Sequence, residues 1–191
     1  MLKRTFIPLL LLFIVLLQGC ATAVVTGAAT GASVAVDRRT TGTIIDDQSI
    51  EFKAASAIRN NKELYDQSHI NVTSYNGLVL LTGETPTEAF KQQAESLVRN
   101  IPKVRRIFNE LIIAAPSALP SRSSDTWITS KIKAKLTAEK GVNPLNVKVV
   151  TEHGVVYLMG IISHAEADLA VNVVKRSAGV QRVVKLFEYT D

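Results

Sequence analysis

The side chains that could do chemistry are few and lie far apart in this chain of 191 residues. They are one thiol (Cys20), three imidazoles (His69, His153 and His164) and one adjacent carboxylate pair (Asp46-Asp47). A thiol can attack or accept an acyl group, imidazoles move protons or bind metals, and paired carboxylates suit acid–base work. None of them falls in a nucleophile elbow, a phosphate loop or an H-E-x-x-H motif. The sequence therefore predicts no catalytic residue and no metal site, and we do not expect an enzyme.

The position of Cys20 favours a different role for this thiol. A basic N-terminus precedes an apolar stretch from Phe6 to Leu17, and the small residue Gly19 comes directly before the cysteine. A charged start, a short apolar stretch and a small residue before the cleavage point are typical of a secretory signal peptide. The stretch is shorter than the roughly 20 residues that a membrane span needs. We therefore predict that residues 1–19 are a signal peptide.

The cleavage region resembles the lipobox of bacterial lipoproteins. The resemblance implies cleavage between Gly19 and Cys20 and a covalent lipid on Cys20, with no other cofactor. Ala21 implies the outer membrane, because an aspartate there would favour retention in the inner membrane. An ordinary signal peptide followed by a chance cysteine is the alternative. The net charge of +5 falls to +3 when the signal peptide is removed, and anionic lipid headgroups, rather than nucleic acid, are the polyanions that an exported protein meets.

Beyond the cysteine, the chain contains an internal repeat. Residues 70–83 match residues 147–160 at an offset of 77, with Gly77 aligned with Gly154. Similarity at a nearly constant spacing over a whole unit indicates two copies of one small domain. The predicted organisation is a signal peptide (1–19), a lipidated flexible tether (20–45), a first domain (46–114), a Pro/Ser/Ala linker (115–124) and a second domain (125–191).

Each copy shows the same order of predicted elements, helix-strand-strand-helix-strand. We expect an α+β fold in which a three-stranded mixed sheet packs against two helices. Asp47 and Asp125 are placed to cap the first helices, and Asn76-Gly77 is typical of a tight hairpin turn. The second helices are expected to begin in capping boxes at residues 85–88 and 163–166, with a proline at the first helical position of the former. Whether the copies pack together stays open.

The pattern I/V-x-V-x-x-x-x-G-x-V-x-L-x-G, with a helix before and after it, resembles the BON domain. It occurs twice, at Ile70 to Gly83 and at Val147 to Gly160, behind a lipobox and a tether. The resemblance implies a non-catalytic outer-membrane lipoprotein that faces the periplasm, binds anionic phospholipid and supports outer-membrane integrity. It also implies enrichment at division sites.

The two copies differ at the start of their first helices. Trp127 is the only tryptophan, and its counterpart in the first copy is Ser49. The predicted helix face that packs on the sheet, with Ile128 and Ile132, is complete without it. A second face carries the candidate phospholipid-binding residues: Trp127, Ser130, Lys131, Ala134, Lys135 and Ala138. Tryptophan favours the membrane–water interface, and lysines attract anionic headgroups.

Alternatives remain open for this surface. Trp127 could instead pack in a core or between the copies. The same face could also dock an envelope protein or a second copy of the chain, which would make the protein an adaptor. Binding to anionic phospholipids such as phosphatidylglycerol or cardiolipin is the leading hypothesis, and sedimentation with charged vesicles separates it from the adaptor.

Overall fold

The computed structural model describes residues 37–191, which form two consecutive α-β-β-α-β repeats. In the first repeat the elements are α1 (Thr41–Asn60), a short α2 (Lys62–Gln67), β1 (His69–Tyr75), β2 (Leu78–Thr85), α3 (Glu88–Arg99), β3 (Arg106–Asn109) and β4 (Ile112–Ile113). In the second they are α4 (Leu119–Ala138), β5 (Val147–Glu152), β6 (Val155–Ile162), α5 (His164–Lys175) and β7 (Arg182–Tyr189), with one 3-10 turn (Pro144–Asn146) before β5. The predicted signal peptide, the lipidation site and the tether up to residue 36 lie outside the described residues.

The first helix begins inside the predicted tether. Thr40 is its N-cap, and the Thr40 hydroxyl accepts a hydrogen bond from the Thr43 N–H at 3.1 Å. Just before the cap, the Arg38 guanidinium pairs with Glu166 of the second repeat at 2.8 Å. The prediction that residues 37–45 are flexible was therefore wrong, because capping and this ion pair hold them on the folded repeats.

The first helix of the second repeat also begins earlier than predicted. α4 starts at Leu119, so residues 119–124 of the predicted linker belong to it. Pro120 lies in its first turn, where the missing N–H of proline costs no helical hydrogen bond. The proline and serines that favour a linker in the sequence are compatible with the first turns of a helix, so composition alone could not place this start.

Each repeat contains the predicted hairpin and a third strand parallel to its second strand. β1 pairs antiparallel with β2, and β5 pairs antiparallel with β6. β7 pairs in parallel with β6, whereas the matching strand of the first repeat is interrupted, so that β3 and β4 both pair in parallel with β2. Both hairpin turns have positive φ at their two central residues, with 53° and 73° at Asn76-Gly77 and 50° and 71° at His153-Gly154. These values confirm the tight turns expected from the sequence.

The second helices differ in how they begin. Ser163 caps α5 in the predicted capping box, because its hydroxyl accepts from the Glu166 N–H and its own N–H donates to the Glu166 carboxylate. In the first repeat the N-cap is Thr87 and the helix starts at Glu88. The predictions of a box from residue 85 and of a proline at the first helical position were therefore wrong.

Alternate residues of the central strands face two different cores. Val79 and Leu81 of β2 pack under α1 and α3, and Val156 and Leu158 of β6 pack under α4 and α5. The intervening residues face the other repeat and form a third core between the two sheets, which consists of Tyr75, Leu78, Leu80, Tyr157, Met159 and Leu186. Because successive side chains of a strand point to opposite faces, both faces of β2 are covered, and all eight of its residues are buried. The two sheets therefore pack against each other through their helix-free faces.

Candidate functional site

The six candidate residues lie along the solvent-facing side of α4. Trp127 is 67% exposed, whereas Ile128, Ile132 and Leu136 on the opposite side are at most 5% exposed. Ser130, Ala134, Lys135 and Ala138 are also exposed, and Lys131 is half-buried. Packing of Trp127 in a core, the alternative weighed from the sequence, is therefore excluded. We call these six residues together with Leu119 the α4 strip.

Leu119 belongs to the α4 strip but was missed in the sequence, because the helix was expected to start later. It is 74% exposed and precedes Trp127 by eight residues, about 12 Å along the helix axis. A helix advances 100° per residue, so Leu119 falls on the same side as Ser130 and Trp127. The α4 strip therefore exposes two large apolar side chains, Leu119 at the start of the helix and Trp127 near its middle.

The two lysines of the α4 strip are held over the segment that follows α5. Lys131 Nζ donates to the Ala178 carbonyl at 3.2 Å and lies 5.8 Å from the centre of the Trp127 ring. Lys135 Nζ donates to the Ser177 hydroxyl at 3.0 Å. An ammonium group has three N–H donors, and each of these interactions occupies only one, so both groups can still donate to an anion at the surface.

A groove continues the α4 strip toward its C-terminal end. Its volume is about 500 Å³, and Leu169 and Val173 of α5 supply apolar walls. Lys135 and Arg176 line the same groove. Glu139 also lines the groove, so its border carries two basic groups and one acidic group around apolar walls.

The first helix of the other repeat also exposes an aromatic side chain, which the sequence analysis missed. Phe52 of α1 is 76% exposed, and Ile45, two turns earlier, is 60% exposed. Ser49, the counterpart of Trp127, is half-buried. The contrast between the repeats is therefore weaker than the lone tryptophan indicated. Its exposure could have been predicted from the sequence, because Phe52 does not lie on the helix face that packs in the core, which carries Ile50 and Ala54.

The charge near Phe52 differs from that near Trp127. Glu51 precedes Phe52 and pairs with Lys148 at 3.0 Å, and Asp46 on the same helix pairs with Lys103 at 2.6 Å. Residues 126–138 of α4 contain lysines but no acidic residue. Lys53 follows Phe52, so the α1 segment carries both charges, whereas the segment that follows Trp127 carries only positive charge.

Asp47 and Asp125 have a structural role that differs from the predicted one. Each lies inside its helix, where its buried carboxylate binds the hairpin turn of its own repeat. Asp47 accepts from the N–H groups of Asn76 and Gly77 at 2.7 and 2.9 Å. Asp125 accepts from the corresponding N–H groups after β5, both at 2.9 Å. The prediction that these aspartates cap the helices was wrong, because Thr40 and Ala118 occupy the N-cap positions.

Two of the three histidines meet at one buried carboxylate. Glu84 of β2 is fully buried, and one of its oxygens lies 3.0 Å from His69 Nδ1. Its other oxygen contacts Nε2 of His153, which comes from the hairpin turn of the second repeat. Burial alone would raise the pKa of Glu84, but hydrogen bonds from Ser117, His153 and His69 hold it below its ordinary value. The sequence could not predict that both histidines contact Glu84, because the two histidines belong to different repeats.

The third histidine lies apart from the other two at the C-terminal end of the chain. His164 stacks on Tyr189 with ring centres 3.8 Å apart, and its Nδ1 lies 2.9 Å from the Asp191 carboxylate. The imidazole is exposed and begins α5. It therefore lies at the protein surface and is not part of the contact with Glu84.

The fold and the exposed strip define a tandem α-β-β-α-β module with an apolar and cationic helix on its surface. The BON domain model matches residues 46–115 and 124–191, and the chain belongs to the BON family. No helix within residues 37–191 is long and apolar enough to cross a membrane.

Three curated relatives share most of the chain. It is 37% identical over 177 residues to the outer membrane lipoprotein DolP of Haemophilus influenzae, covering 93% of this chain and 92% of that protein. It is 38% identical over 154 residues to a 21 kDa hemolysin of Actinobacillus pleuropneumoniae, covering 81% and 79%. It is 29% identical over 161 residues to the osmotically-inducible protein Y of Escherichia coli, covering 83% and 80%. The predicted similarity to a dual-BON lipoprotein is confirmed.

Among solved structures, the C-terminal domain of the Chlamydia trachomatis type III secretion protein CdsD aligns with 73% of this chain and 96% of its own. The TM-score is 0.31 and the sequence identity is 12%.

Proposed function

We propose that this chain is a non-catalytic outer-membrane lipoprotein that binds anionic phospholipid through the α4 strip. In this proposal Cys20 carries the anchor, and the two BON repeats face the periplasm. The Haemophilus relative is an outer membrane lipoprotein, which supports the location. The observation that carries the lipid contact is the 67% exposed Trp127 next to Lys131 and Lys135.

The geometry of the strip suits the interfacial region of a bilayer. An indole ring favours the boundary between headgroups and acyl chains, because its surface is mostly apolar while its N–H can still meet polar groups. Trp127 and Leu119 would enter this boundary from the same side of α4. The small side chains Ser130 and Ala134 let the helix axis approach the surface closely.

The lysines supply selectivity for negative charge. Each lysine near an anionic surface contributes about 1 kcal/mol. Because Lys131 and Lys135 are already held by Ala178 and Ser177, they lose less conformational freedom on binding than free lysines would. Residues 126–138 contain no acidic residue that would offset this contribution.

The expected affinity of the strip alone is weak. One interfacial helix of this kind contributes a few kcal/mol, which corresponds to a dissociation constant of order millimolar. A lipid on Cys20 would raise the local concentration of the strip at the membrane and make this contact effective. In the proposal, the anchor provides residence at the membrane and α4 provides preference among lipids.

Vesicle sedimentation of the unlipidated chain (residues 21–191) tests the proposal without the contribution of the anchor. We expect binding to phosphatidylglycerol or cardiolipin vesicles and much weaker binding to neutral phosphatidylcholine vesicles. Trp127→Glu should raise the dissociation constant at least tenfold, because it replaces an inserting ring with a repelled carboxylate. Circular dichroism checks that the variant stays folded.

The matched control is Phe52→Glu, which introduces the same change at an equally exposed aromatic position of α1. Binding should remain within about twofold of wild type, because Phe52 lies on α1, between Glu51 and Lys53, and outside the α4 strip. Equal losses in both variants would show that any exposed aromatic side chain suffices, and undiminished binding by Trp127→Glu would refute the site. Equal binding to anionic and neutral vesicles would favour the adaptor hypothesis, in which the α4 strip docks an envelope protein.

Two further parts of the proposal rest on the family resemblance. They are support of outer-membrane integrity and enrichment at division sites. A fluorescent fusion imaged in dividing cells tests the second part, and uniform labelling of the envelope would contradict it.

A further inference from the structure

We propose that His69, Glu84, Glu152 and His153 form a binding site for one divalent transition-metal ion, with Zn²⁺ as the preferred ion. We call these four residues the inter-repeat cluster, because two come from each BON repeat. This site is separate from the α4 strip and does not depend on the proposed lipid contact.

The ligand atoms are already close to the spacing that such an ion imposes. One ligand atom each from His69, Glu84 and Glu152 lie within 4.8 Å of one another, and His69 Nδ1 is 3.0 Å from Glu84 Oε2. Tetrahedral Zn²⁺ with bonds of about 2.0–2.1 Å separates its ligand atoms by roughly 3.3 Å. His153 Nε2 contacts the other Glu84 oxygen and can complete a set of four. Binding of an ion therefore requires the ligand atoms of His69, Glu84 and Glu152 to approach one another by at most about 1.5 Å, and the His153 side chain, which lies outside this group of three, to move toward them.

Burial and charge favour a cation at this place. Glu84 is 0% exposed and Glu152 is 7% exposed, so two carboxylates lie close together with little water around them. Buried like charges raise the free energy unless a cation compensates them. Two carboxylates and two neutral imidazoles carry a charge of −2, which a divalent ion neutralises.

Neighbouring side chains hold the carboxylates in place. Asn71 Nδ2 donates to Glu152 Oε2 at 3.0 Å. Ser117 donates to Glu84 and accepts from Arg122 Nε at 3.2 Å. Hydrogen bonds of this kind orient metal ligands and leave their other lone pairs directed toward the ion. The mixture of imidazole and carboxylate ligands suits Zn²⁺ better than Mg²⁺ or Ca²⁺, which prefer oxygen ligands alone.

An ion can reach the cluster from solvent. A cleft of about 540 Å³ is lined by His69, Asn71 and Glu152, together with Arg122. The His69 side chain is 20% exposed and that of His153 is 35% exposed. The imidazoles therefore lie between solvent and the buried carboxylates.

The internal repeat supplies a comparison within the same chain. At an offset of 77, the counterparts of the cluster are Tyr75, Asn76, Asn146 and Ile161. At that end of the interface, the Tyr75 hydroxyl donates to the Asn146 carbonyl at 3.2 Å. The two ends of the inter-repeat contact are thus built alike, but only one carries metal-binding side chains. We therefore expect one ion per chain.

Zinc titration of the full chain in detergent micelles, after removal of metals with a chelator, tests the proposal. Calorimetry should show one Zn²⁺ bound per chain and no comparable binding of Mg²⁺. A ligand at 100 times its dissociation constant stabilises a protein of this size enough to raise its melting temperature by about 5–10 °C. Zn²⁺ should produce a rise of this order, because the ion joins both repeats.

The informative variants are His69→Asn and His153→Asn. Asparagine is the residue at both counterpart positions, 146 and 76, and it tolerates the positive φ of 50° at residue 153. Both variants should therefore fold. Each should weaken Zn²⁺ binding at least tenfold, and the double variant should lose the zinc-dependent rise in melting temperature.

His164→Asn is the matched control, because it removes an exposed imidazole that contacts Tyr189 and Asp191 and not the residues of the cluster. It should bind Zn²⁺ as wild type does. Equal weakening by this control would show adventitious surface binding and overturn the proposal. Retained binding in the double variant, or no binding by wild type at millimolar Zn²⁺, would also overturn it and leave His69 and His153 as hydrogen-bond donors to Glu84.

Discussion

The two BON repeats share their internal supports and differ in what they present to solvent. In both, an aspartate inside the first helix binds the hairpin turn, and aliphatic residues of that helix pack on the sheet. Outside these contacts the repeats diverge. α4 exposes Trp127 beside lysines, whereas α1 exposes Phe52 between an acidic and a basic residue, Glu51 and Lys53. The two ends of the inter-repeat contact also differ. One end carries histidines and carboxylates, and the other end carries Tyr75 and Asn146.

This contrast separates the requirements of the fold from those of function. Positions that hold the turn and the core carry the same kinds of residue in both copies. Several exposed or interface positions carry a residue that the matching position of the other copy lacks: Trp127 matches Ser49, Lys135 matches Ala57, and His69 and His153 match asparagines, whereas Lys131 matches Lys53. Most of the functional candidates are therefore places where the repeats differ, and the following experiments test the contrast.

The largest expected effect concerns the two turn-binding aspartates. Asp47 also accepts from the Ser74 hydroxyl at 2.7 Å and pairs with Arg39 at 3.0 Å, so its removal leaves more buried donors unpaired than removal of Asp125. We expect Asp47→Ala to lower the free energy of unfolding by about 4 kcal/mol and Asp125→Ala by about 2 kcal/mol. Urea denaturation measures both, and equal losses would show that the additional partners contribute nothing.

A smaller effect is expected from the core between the sheets. Burial raises the pKa of Tyr157 to about 12, with Glu110 acting in the same direction, and its counterpart in the first repeat is Leu80. The unfolded chain ionises this phenol near pH 10, so stability should hold below pH 10 and fall as the pH rises toward 12. The loss is about 2–3 kcal/mol at most.

Urea denaturation across this pH range, in wild type and in Tyr157→Phe, measures that loss. The variant should lose less stability at alkaline pH, although the raised pKa of Tyr75 leaves part of the loss in place. An unchanged pH dependence in Tyr157→Phe would place the alkaline instability elsewhere in the chain.

The next prediction compares apolar residues near the starts of the two first helices. Leu119 of α4 and Ile45 of α1 are 74% and 60% exposed. Leu119→Glu should weaken binding to phosphatidylglycerol vesicles about tenfold, or 1.4 kcal/mol, because it places a carboxylate in the α4 strip. Ile45→Glu should leave binding unchanged. A loss in the second variant would mean that both repeats contact the membrane.

The smallest effect concerns the contact between Arg38 and Glu166. Burial alone would raise the pKa of Glu166, but Arg38 and Ser163 hold it below its ordinary value. Its contribution to stability is therefore present above about pH 4.5 and is lost as the pH falls below that. Arg38→Ala should reduce this acid dependence by less than about 1 kcal/mol, because the pair is partly exposed. Urea denaturation of wild type and Arg38→Ala at pH 3–7 measures this acid dependence. If the two proteins lose the same stability at low pH, the loss comes from other carboxylates.

The repeat, the hairpins and the core faces could be predicted from the sequence because each depends on local spacing. Asn76-Gly77 and the alternation around it specify a hairpin without knowledge of the rest of the chain. The helix starts could not be placed, because threonine, serine and proline are compatible both with a linker and with a first helical turn. The sequence order Asp46-Asp47 resembled a cap, and only the position of the hairpin turn shows that Asp47 binds that turn.

The candidate sites also differ in whether local sequence was enough to predict them. Exposure of Trp127 followed from a complete core face on its own helix, so the sequence was sufficient. Leu119 was missed together with the start of its helix. The inter-repeat cluster depends on how two sheets pack, since His69 and His153 lie 84 residues apart. No local pattern carries that information.

Coverage of β2 and β6 on both faces has a consequence for truncated chains. A chain that held a single repeat would expose the apolar sheet face that carries Tyr75, Leu78 and Leu80, or that of Tyr157 and Met159. Such a chain would need a second chain to cover this face, either an identical one or an unrelated one. In the tandem protein the second repeat covers it as part of the same molecule, at any protein concentration. Duplication thus makes the folded state independent of encounter between chains.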